Sequence, residues 1–224
     1  MRLNKFLALH AGISRREADS LIEKGRVSVN GQTASLGLQV QPEDIVAIDG
    51  KKLSSDTELI YLAFNKPVGY VCSRRAQGES PTIYELLPPE YRTLKSVGRL
   101  DRDSSGLLLL TNDGDYAQQM THPRYSKVKI YEVGLDKPLE PLHQQMISDF
   151  GVDLDDGKSK LGLESKSDDD RTQWTVTMSE GRNRQIRRTF AALGYTVTKL
   201  HRTGFGRYTV GELAPGSFEI VSKL

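Results

Sequence analysis

The order of the apolar segments beyond residue 58 restricts the fold more than any other feature of the sequence. Some segments have the periodicity of strands and others that of short helices. The two kinds do not alternate strictly, which argues against a Rossmann-type parallel sheet. We therefore predict an α+β fold with a mixed, mostly antiparallel sheet. The predicted strands are residues 59–64, 70–73, 107–111, 128–135, 173–178, 197–200 and 218–221, and the predicted helices are residues 83–87, 115–120, 139–150 and 183–193.

Length and composition are those of a globular protein with a packed core. The 224 residues, 37% hydrophobic and 27% charged, suffice for a small domain and a medium one. No apolar run reaches the roughly 20 residues that span a bilayer. The start, Met1-Arg2-Leu3-Asn4-Lys5, lacks the apolar segment of a signal peptide, and the single cysteine, Cys72, leaves no internal disulfide. We expect a cytoplasmic protein.

The net charge of +2 says little, but the charges are unevenly distributed. Residues 180–207 carry seven Lys or Arg and one acidic residue, Glu180, whereas residues 153–156 and 168–170 are acidic. This asymmetry is typical of a basic surface for a polyanion with an acidic face turned away from it. The alternative is an ordinary solvated face, the commoner origin of a charge run.

Residues 1–53 have the signals of a small helical module that ends in a hairpin. Apolar spacing near the N-terminus predicts a first helix. Ser14 and Glu17 have capping-box spacing, which predicts the start of a second. Asn30-Gly31 is the strongest short hairpin signal, and residues 45–48 are a last predicted strand.

Basic residues surround this predicted helix pair. Arg15 and Arg16 fall in the first turn of the second helix, where the helix dipole disfavours cations. Their position makes sense if a phosphate approaches that helix start, although ordinary solvated arginines are the alternative. The segment resembles the alpha-L RNA-binding module of a ribosomal small-subunit protein and of several RNA-modifying enzymes. The matching residues are Arg2-Leu3-Asn4-Lys5-Phe6-Leu7, Ser14-Arg15-Arg16-Glu17-Ala18 and Gly25-Arg26-Val27-Ser28-Val29-Asn30-Gly31. The resemblance implies RNA binding, for which the candidates are Arg2, Lys5, Arg15, Arg16 and Arg26.

The most informative segment runs from Gly98 to Gly106 and contains Asp101 between two arginines. Glycines at both ends indicate a tight loop, and the loop joins Val97 to a run of four leucines. An adjacent arginine favours the ionised form of a carboxylate, and a polar loop on a rigid scaffold is a common place for a catalytic group. The alternative is a turn aspartate with solvated arginines.

Three further segments, taken together with this loop, favour the catalytic interpretation. They are Asn65-Lys66-Pro67-Val68-Gly69-Tyr70, Lys127-Val128-Lys129-Ile130-Tyr131-Glu132-Val133 and Glu180-Gly181-Arg182-Asn183-Arg184-Gln185-Ile186-Arg187-Arg188. In order and spacing they resemble the pseudouridine synthases of ribosomal RNA, in the branch with an N-terminal alpha-L module. The resemblance implies an alpha-L RNA-binding domain over residues 1–53, a linker over 54–58 and a pseudouridine synthase domain over 59–224.

The resemblance also implies roles for individual residues. Asp101 matches the catalytic aspartate, Tyr131 an active-site tyrosine that stacks near the base, and Arg187 the basic residue that pairs with the aspartate. Leu200 matches an apolar residue beneath the base, and Arg99 a residue that helps displace the base. The alternative for Tyr131 is a half-buried aromatic residue of a strand, which is the more common role of a tyrosine in such a pattern.

Two motifs near these residues have other predicted roles. Lys66 and Pro67 match a motif that is architectural rather than chemical. Arg184 and Arg188 are spaced one helical turn apart, so we predict that both point outward, toward substrate phosphates. Gly181-Arg182 is not followed by the Gly-Lys-Ser/Thr arrangement of a P-loop, so a P-loop is excluded there.

Conversion of uridine to pseudouridine replaces a ribose–nitrogen bond by a ribose–carbon bond. No electron or group is imported, so no cofactor is required. The carboxylate could attack the sugar, attack the base or remove a sugar proton, and the sequence leaves all three routes open. The four histidines lack paired ligand spacing, so we predict no metal site, and Cys72 is more typical of a small core residue.

The implied partner is ribosomal RNA or a pre-ribosomal particle, with no membrane and no nucleotide cofactor, and we expect a monomer. The arginine-rich segment favours large-subunit RNA as the substrate, whereas the stretch around Cys72 favours small-subunit RNA. Two other functions remain open, a non-catalytic ribosome assembly factor and a synthase that acts on transfer RNA.

Overall fold

The computed structural model describes residues 1–74, 78–167 and 169–224, so Asp168 of the second acidic run lies outside the described residues. Two compact units are present. The first comprises residues 1–60, 93–95 and 111–114, and the second comprises residues 61–92, 96–110 and 115–224. None of the helices in the described ranges combines the length and the apolar character that a membrane span requires.

The first unit contains a helix pair and a small sheet. Its elements are α1 (Leu3–His10), α2 (Arg15–Glu23), β1 (Val27–Val29), β2 (Gln32–Thr33), β3 (Val46–Ile48) and β4 (Lys51–Lys52). The Ser14 hydroxyl accepts a hydrogen bond from the Glu17 amide at 3.1 Å and so caps α2. Asn30 and Gly31, both with positive φ, join β1 to β2, as the hairpin signal predicts. Leu3, Leu7 and Ile22 from the helices pack with residues of the sheet.

The second unit is built on a nine-stranded sheet. Its strands are β5 (Tyr61–Lys66), β6 (Lys95–Val97), β7 (Ser105–Thr111), β8 (Lys129–Leu135), β11 (Gly162–Ser165), β12 (Gln173–Met178), β13 (Val197–Phe205), β14 (Tyr208–Thr209) and β15 (Phe218–Ile220). The order is β11-β12-β8-β13-β7-β5-β15, with β14 beside β13 and β6 beside β7. A separate hairpin consists of β9 (Val152–Leu154) and β10 (Gly157–Ser159).

The pairing of these strands confirms the predicted α+β class. The pair β7–β13 is parallel, whereas β8 pairs antiparallel with both β12 and β13. The sheet is therefore mixed and mostly antiparallel, as we predict. Residues 107–110 on β7 are all buried, which explains their continuous apolar character.

Among the described residues, three α-helices accompany this sheet: α3 (Gly114–Thr121), α4 (Pro141–Gln145) and α5 (Gln185–Ala191). A π-helical turn, Met146–Phe150, continues α4, and 3₁₀ turns occur at Ile83–Leu86, Pro89–Tyr91 and Pro123–Tyr125. The predicted strand at 70–73 is wrong, because Val71 makes only an isolated bridge to Thr82.

Gly106 brings β7 unusually close to β13. A Cβ atom at this position would lie 2.2 Å from the backbone oxygen of Arg202, and the φ of Gly106 is +103°. Only glycine fits both the conformation and the contact. The two parallel strands therefore meet directly after the loop that carries Asp101.

Candidate active site

A cleft of about 330 Å³ lies in the second unit beside the parallel strand pair. This volume is at the low end of the range of small-molecule sites, about 300–1,000 Å³. Residues from the 98–104 loop, β8, the 178–186 segment and β13 line it. Those that bear on its chemistry are Arg99, Asp101, Tyr131, Arg184, Leu200 and Arg202.

The Asp101 loop is fixed through its backbone by Lys66 on β5. The Lys66 ammonium is buried and donates to the carbonyl oxygens of Pro67 at 3.0 Å, Asp101 at 3.1 Å and Ser104 at 2.7 Å. Burial lowers the pKa of Lys66. The Lys-Pro motif is therefore architectural, as the resemblance implies: its lysine organises the loop and does not line the cleft.

Cys72 holds the other side of the same loop. Its sulfur accepts from the Leu100 amide and donates to the Leu100 carbonyl, both at 3.4 Å. Burial raises the pKa of the thiol, so Cys72 stays neutral and packs. With Lys66 on one side and Cys72 on the other, the backbone from residue 100 to 104 is held in place.

The charged partner of Asp101 is Arg184. Arg184 Nη1 lies 3.6 Å from Asp101 Oδ2, and the Asp101 side chain is 35% exposed. The same guanidinium donates to both carboxylate oxygens of Asp103, at 3.0 and 2.9 Å. These hydrogen bonds, followed by the charge of Arg187, lower the pKa of Asp103. Asp103 thus holds the arginine that faces Asp101.

The predicted pairing of Arg187 with Asp101 is wrong. Arg187 Nη1 donates to the Val197 carbonyl at 2.7 Å, and Nη2 donates to the Asp103 carbonyl at 2.9 Å. Its Nε lies 3.3 Å from Asp103 Oδ2, an ion pair without hydrogen-bond geometry. Arg187 therefore links the Asp101 loop to Val197 through backbone carbonyls, and its side chain is 14% exposed.

The physical reason for this difference is the start of α5. The predicted helix begins at residue 183, but α5 begins at Gln185, and Arg184 has left-handed backbone, with φ 45° and ψ 32°. The Arg184 carbonyl still accepts the first helical hydrogen bond, from the Arg188 amide at 2.9 Å, but the left-handed backbone turns the Arg184 side chain to the aspartates. That side chain is 43% exposed and lines the cleft, so its contact with substrate phosphates stays a prediction.

Tyr131 and Leu200 face the cleft from neighbouring strands. Tyr131 on β8 lies opposite Arg202 on β13, and Leu200 is two residues before Arg202 on the same face of the sheet. Tyr131 and Leu200 are 7% and 8% exposed. In the part of the chain that the structure describes, the Tyr131 hydroxyl has no hydrogen-bond partner, so it is available to a substrate.

Arg99 and Arg188, the two remaining predicted substrate contacts, differ in whether they line the cleft. Arg99 is exposed and lines the cleft. Arg188 does not line it, and its guanidinium donates to Asp156 at 2.6 and 3.1 Å. Asp156 also accepts from Arg182 at 2.8 Å. The expected separation of acidic and basic stretches is therefore wrong, since the 153–156 stretch neutralises part of the basic segment.

The predicted RNA contacts all lie in the first unit. Arg15 and Arg16 are exposed in the first turn of α2, where an approaching phosphate would meet the helix start. Arg2 is exposed before α1, and Lys5 is half-buried on α1. Arg26 forms a two-bond ion pair with Asp49.

Sequence reasoning missed three contributors to the site: the role of Asp103, and the cleft positions of Lys129 and Arg202. The signal for Asp103 was available, since it lies two residues after Asp101 among several arginines. Among the described residues, no cluster of three or more His, Cys, Asp or Glu side chains is arranged to hold a metal ion.

Residues 60–192 match the family described as RNA pseudouridylate synthase, and residues 1–46 match the S4 domain. The chain is 37% identical to ribosomal small subunit pseudouridine synthase A of Pasteurella multocida (strain Pm70), over 99% of this chain and 96% of that protein. It is also 37% identical to the protein of the same name from Escherichia coli (strain K12), over 97% and 95%. A solved structure described as a pseudouridylate synthase is 34% identical, with a TM-score of 0.70 over 99% and 96% of the two chains.

Proposed function

The chain belongs to the RNA pseudouridylate synthase family, and from this premise we propose that it isomerises a specific uridine of small-subunit ribosomal RNA, with Asp101 as the catalytic carboxylate. Relatives of similar length are named small-subunit synthases. They support small-subunit RNA as the substrate in preference to large-subunit RNA. We further propose a cytoplasmic monomer that meets ribosomal RNA or a pre-ribosomal particle.

The observation that carries the proposal is the position of the Asp101 carboxylate. It opens into a cleft whose walls include the buried Tyr131 and Leu200, and a guanidinium lies 3.6 Å away. A uridine within folded RNA must be extruded to reach it, at a cost of a few kcal/mol, and needs aromatic or apolar walls to receive the base. Tyr131 and Leu200 supply such walls.

The surrounding residues would hold the carboxylate in place. Arg184 places a positive charge 3.6 Å from it, and Lys66 fixes the backbone carbonyl of Asp101 at 3.1 Å. Such preorganisation places the carboxylate against the nucleotide before reaction, which is how a rigid site lowers an activation barrier. Attack on the sugar, attack on the base and removal of a sugar proton all start from a carboxylate in this position.

We propose that the chain divides as its sequence suggests, into an RNA-binding domain over residues 1–53, a linker over 54–58 and a catalytic domain over 59–224. The match of residues 1–46 to the S4 domain supports the first assignment. Exposed cations such as Arg15 and Arg16 would add a sequence-independent affinity for phosphates.

The test is isomerisation of unmodified transcripts of small-subunit, large-subunit and transfer RNA, with pseudouridine mapped after incubation with wild-type protein. We expect product at one position of the small-subunit transcript. Asp101→Asn should abolish turnover while RNA affinity stays within about threefold, because a neutral isostere keeps the shape of the site. Asp149→Asn, an exposed carboxylate outside the cleft, is the matched control. Product from Asp101→Asn would refute the catalytic role, and product in another RNA class would refute the proposed substrate.

A further inference from the structure

Two cations share the floor of the cleft, and neither forms an ion pair with a described residue. Arg202 is 2% exposed, and its Nε donates to the Leu107 carbonyl at 2.7 Å. No described residue accepts a hydrogen bond from its terminal nitrogens, and Nη2 is fully buried without a partner. Buried polar groups are nearly always paired, so an orphaned guanidinium needs an explanation.

Lys129 is the second cation. Within the described ranges its ammonium donates only to the carbonyl oxygens of Lys127 and Glu180, both at 3.2 Å. Lys129 Nζ and Arg202 Cζ lie over the same aromatic ring, 5.4 and 4.9 Å from the centroid of Phe205. Burial first and the charge of Arg202 second lower the pKa of Lys129. The two positive charges therefore repel each other in a partly desolvated site.

The carboxylates of the cleft are engaged elsewhere. Glu180 accepts from Arg182 and from Gln185, and Asp101 faces Arg184. The charge of Glu180 acts on Lys129 at longer range and opposes the lowering of its pKa. No described carboxylate lies within ion-pair distance of either cation, and the described groups that accept their hydrogen bonds are neutral carbonyls. A buried charge without a counter-charge is destabilising, and an anionic ligand seated between the two cations would offset that cost.

We propose that Lys129 and Arg202 form a phosphate-binding subsite that holds the RNA backbone at the target uridine. The inference rests on the proposed function, because it takes the cleft to be the place where the uridine binds. Arg202 lies opposite Tyr131 in the β8–β13 register and two residues from Leu200, so the anchored phosphate belongs to the nucleotide whose base these residues contact. A uracil carbonyl is a neutral acceptor and would leave the two charges uncompensated.

The test uses the full-length protein and a fragment of small-subunit RNA that contains the mapped target. Affinity is measured by fluorescence anisotropy as a function of salt, for wild type and Lys129→Gln. A lost phosphate contact lowers the slope of log K against log salt by about 0.7–0.9, and we expect that decrease with at least a tenfold lower single-turnover rate. The control is Lys199→Gln, whose side chain is 56% exposed, lies on the opposite face of β13 and pairs with Glu132. The control should keep the wild-type slope.

A neutral methylphosphonate linkage beside the target uridine locates the contact. It should reduce the wild-type slope as Lys129→Gln does, and the two changes together should reduce it no further. An unchanged slope in Lys129→Gln would overturn the subsite, and weaker binding without a slope change would point to a base carbonyl instead. Arg202→Lys retains the charge and should keep the slope, which separates charge from the Nε contact to Leu107.

Failure of the subsite and failure of the proposed function give different results. If wild type isomerises the RNA but Lys129→Gln keeps the full slope, the function stands and the subsite falls. If Lys129→Gln lowers the salt slope but wild type isomerises no RNA, the phosphate contact is supported and the proposed reaction is refuted.

Discussion

The guanidinium of Arg184 lies 3.6 Å from the carboxylate of Asp101, although the backbone of Arg184 is left-handed. A non-glycine residue in that region stores about 1–2 kcal/mol of strain. The two hydrogen bonds from Arg184 to Asp103 offset this strain. Asp103 is therefore a positioning residue that acts on Asp101 through Arg184.

Substitution Asp103→Asn tests this relationship. The amide replaces one of the two acceptor oxygens by an NH₂ donor, so it cannot receive both Arg184 nitrogens as the carboxylate does. It also cannot balance the charge of Arg187, so we expect both arginines to shift. A displacement of about 1 Å near a reacting group can cost 10²-fold in rate, and we expect a 10- to 100-fold lower single-turnover rate with RNA affinity within about threefold. Asp153→Asn, which removes only the exposed ion pair with Lys158, is the control. A wild-type rate in Asp103→Asn would show that Arg184 needs no such support.

Substitution Lys66→Met tests whether the Asp101 loop depends on the hydrogen bonds from the Lys66 ammonium. Methionine fills a similar volume but leaves the carbonyls of Pro67, Asp101 and Ser104 without their shared donor. Each unsatisfied buried group costs about 1–3 kcal/mol, while removal of a buried ammonium recovers part of that cost. We expect a loss of about 2 kcal/mol in the free energy of urea unfolding and at least a tenfold lower turnover. Full turnover with reduced stability would limit Lys66 to a structural role.

The fold was predictable because its local signals agree with its packing. The Asn30-Gly31 turn, the buried run on β7 and the apolar periodicity of β12 and β13 all follow from spacing alone. The strand at 70–73 failed, since a short apolar stretch does not reveal whether a neighbouring strand exists to pair with it. The turn around Gly69 and the contact of Cys72 with Leu100 replace that pairing.

The site was only half predictable, and the missing half depends on contacts between distant residues. Asp101, Tyr131 and Leu200 were chosen by resemblance, and the structure brings them to one cleft. The charged partner of Asp101 was not predicted correctly. The spacing of residues 183–193 predicts a regular helix start, whereas the backbone of Arg184 is left-handed. The orphaned donors of Arg202 are equally invisible in the sequence, since they become apparent only when the neighbouring strands are in place.

The first unit provides a third prediction, on RNA binding. Arg15 and Arg16 are exposed at the start of α2, where helix dipole and side chains both attract phosphate. The double change Arg15→Gln with Arg16→Gln should weaken RNA binding and lower the salt slope by about 1–2. A double change of the exposed Lys51 and Lys52 to Gln removes equal charge from β4 and should have a smaller effect. Equal slopes in the two double variants would mean that α2 makes no specific phosphate contact.

Glu132 gives a prediction of stability against pH. Lys166 and Lys199 both donate to its carboxylate, and these bonds lower its pKa from 4.5 to about 2. A carboxyl with a lowered pKa in the folded state contributes stability above its unfolded pKa, and the contribution is lost as pH falls from 4.5 toward 2. Glu132→Gln should therefore be about 1–2 kcal/mol less stable than wild type at pH 7, and urea unfolding at stepped pH should show the difference shrinking below pH 4.5. The control is Glu164→Gln on β11, whose carboxylate forms no ion pair within the described ranges. A difference that stays constant from pH 7 to pH 3 would show that the two lysines do not stabilise the fold through the charge of Glu132.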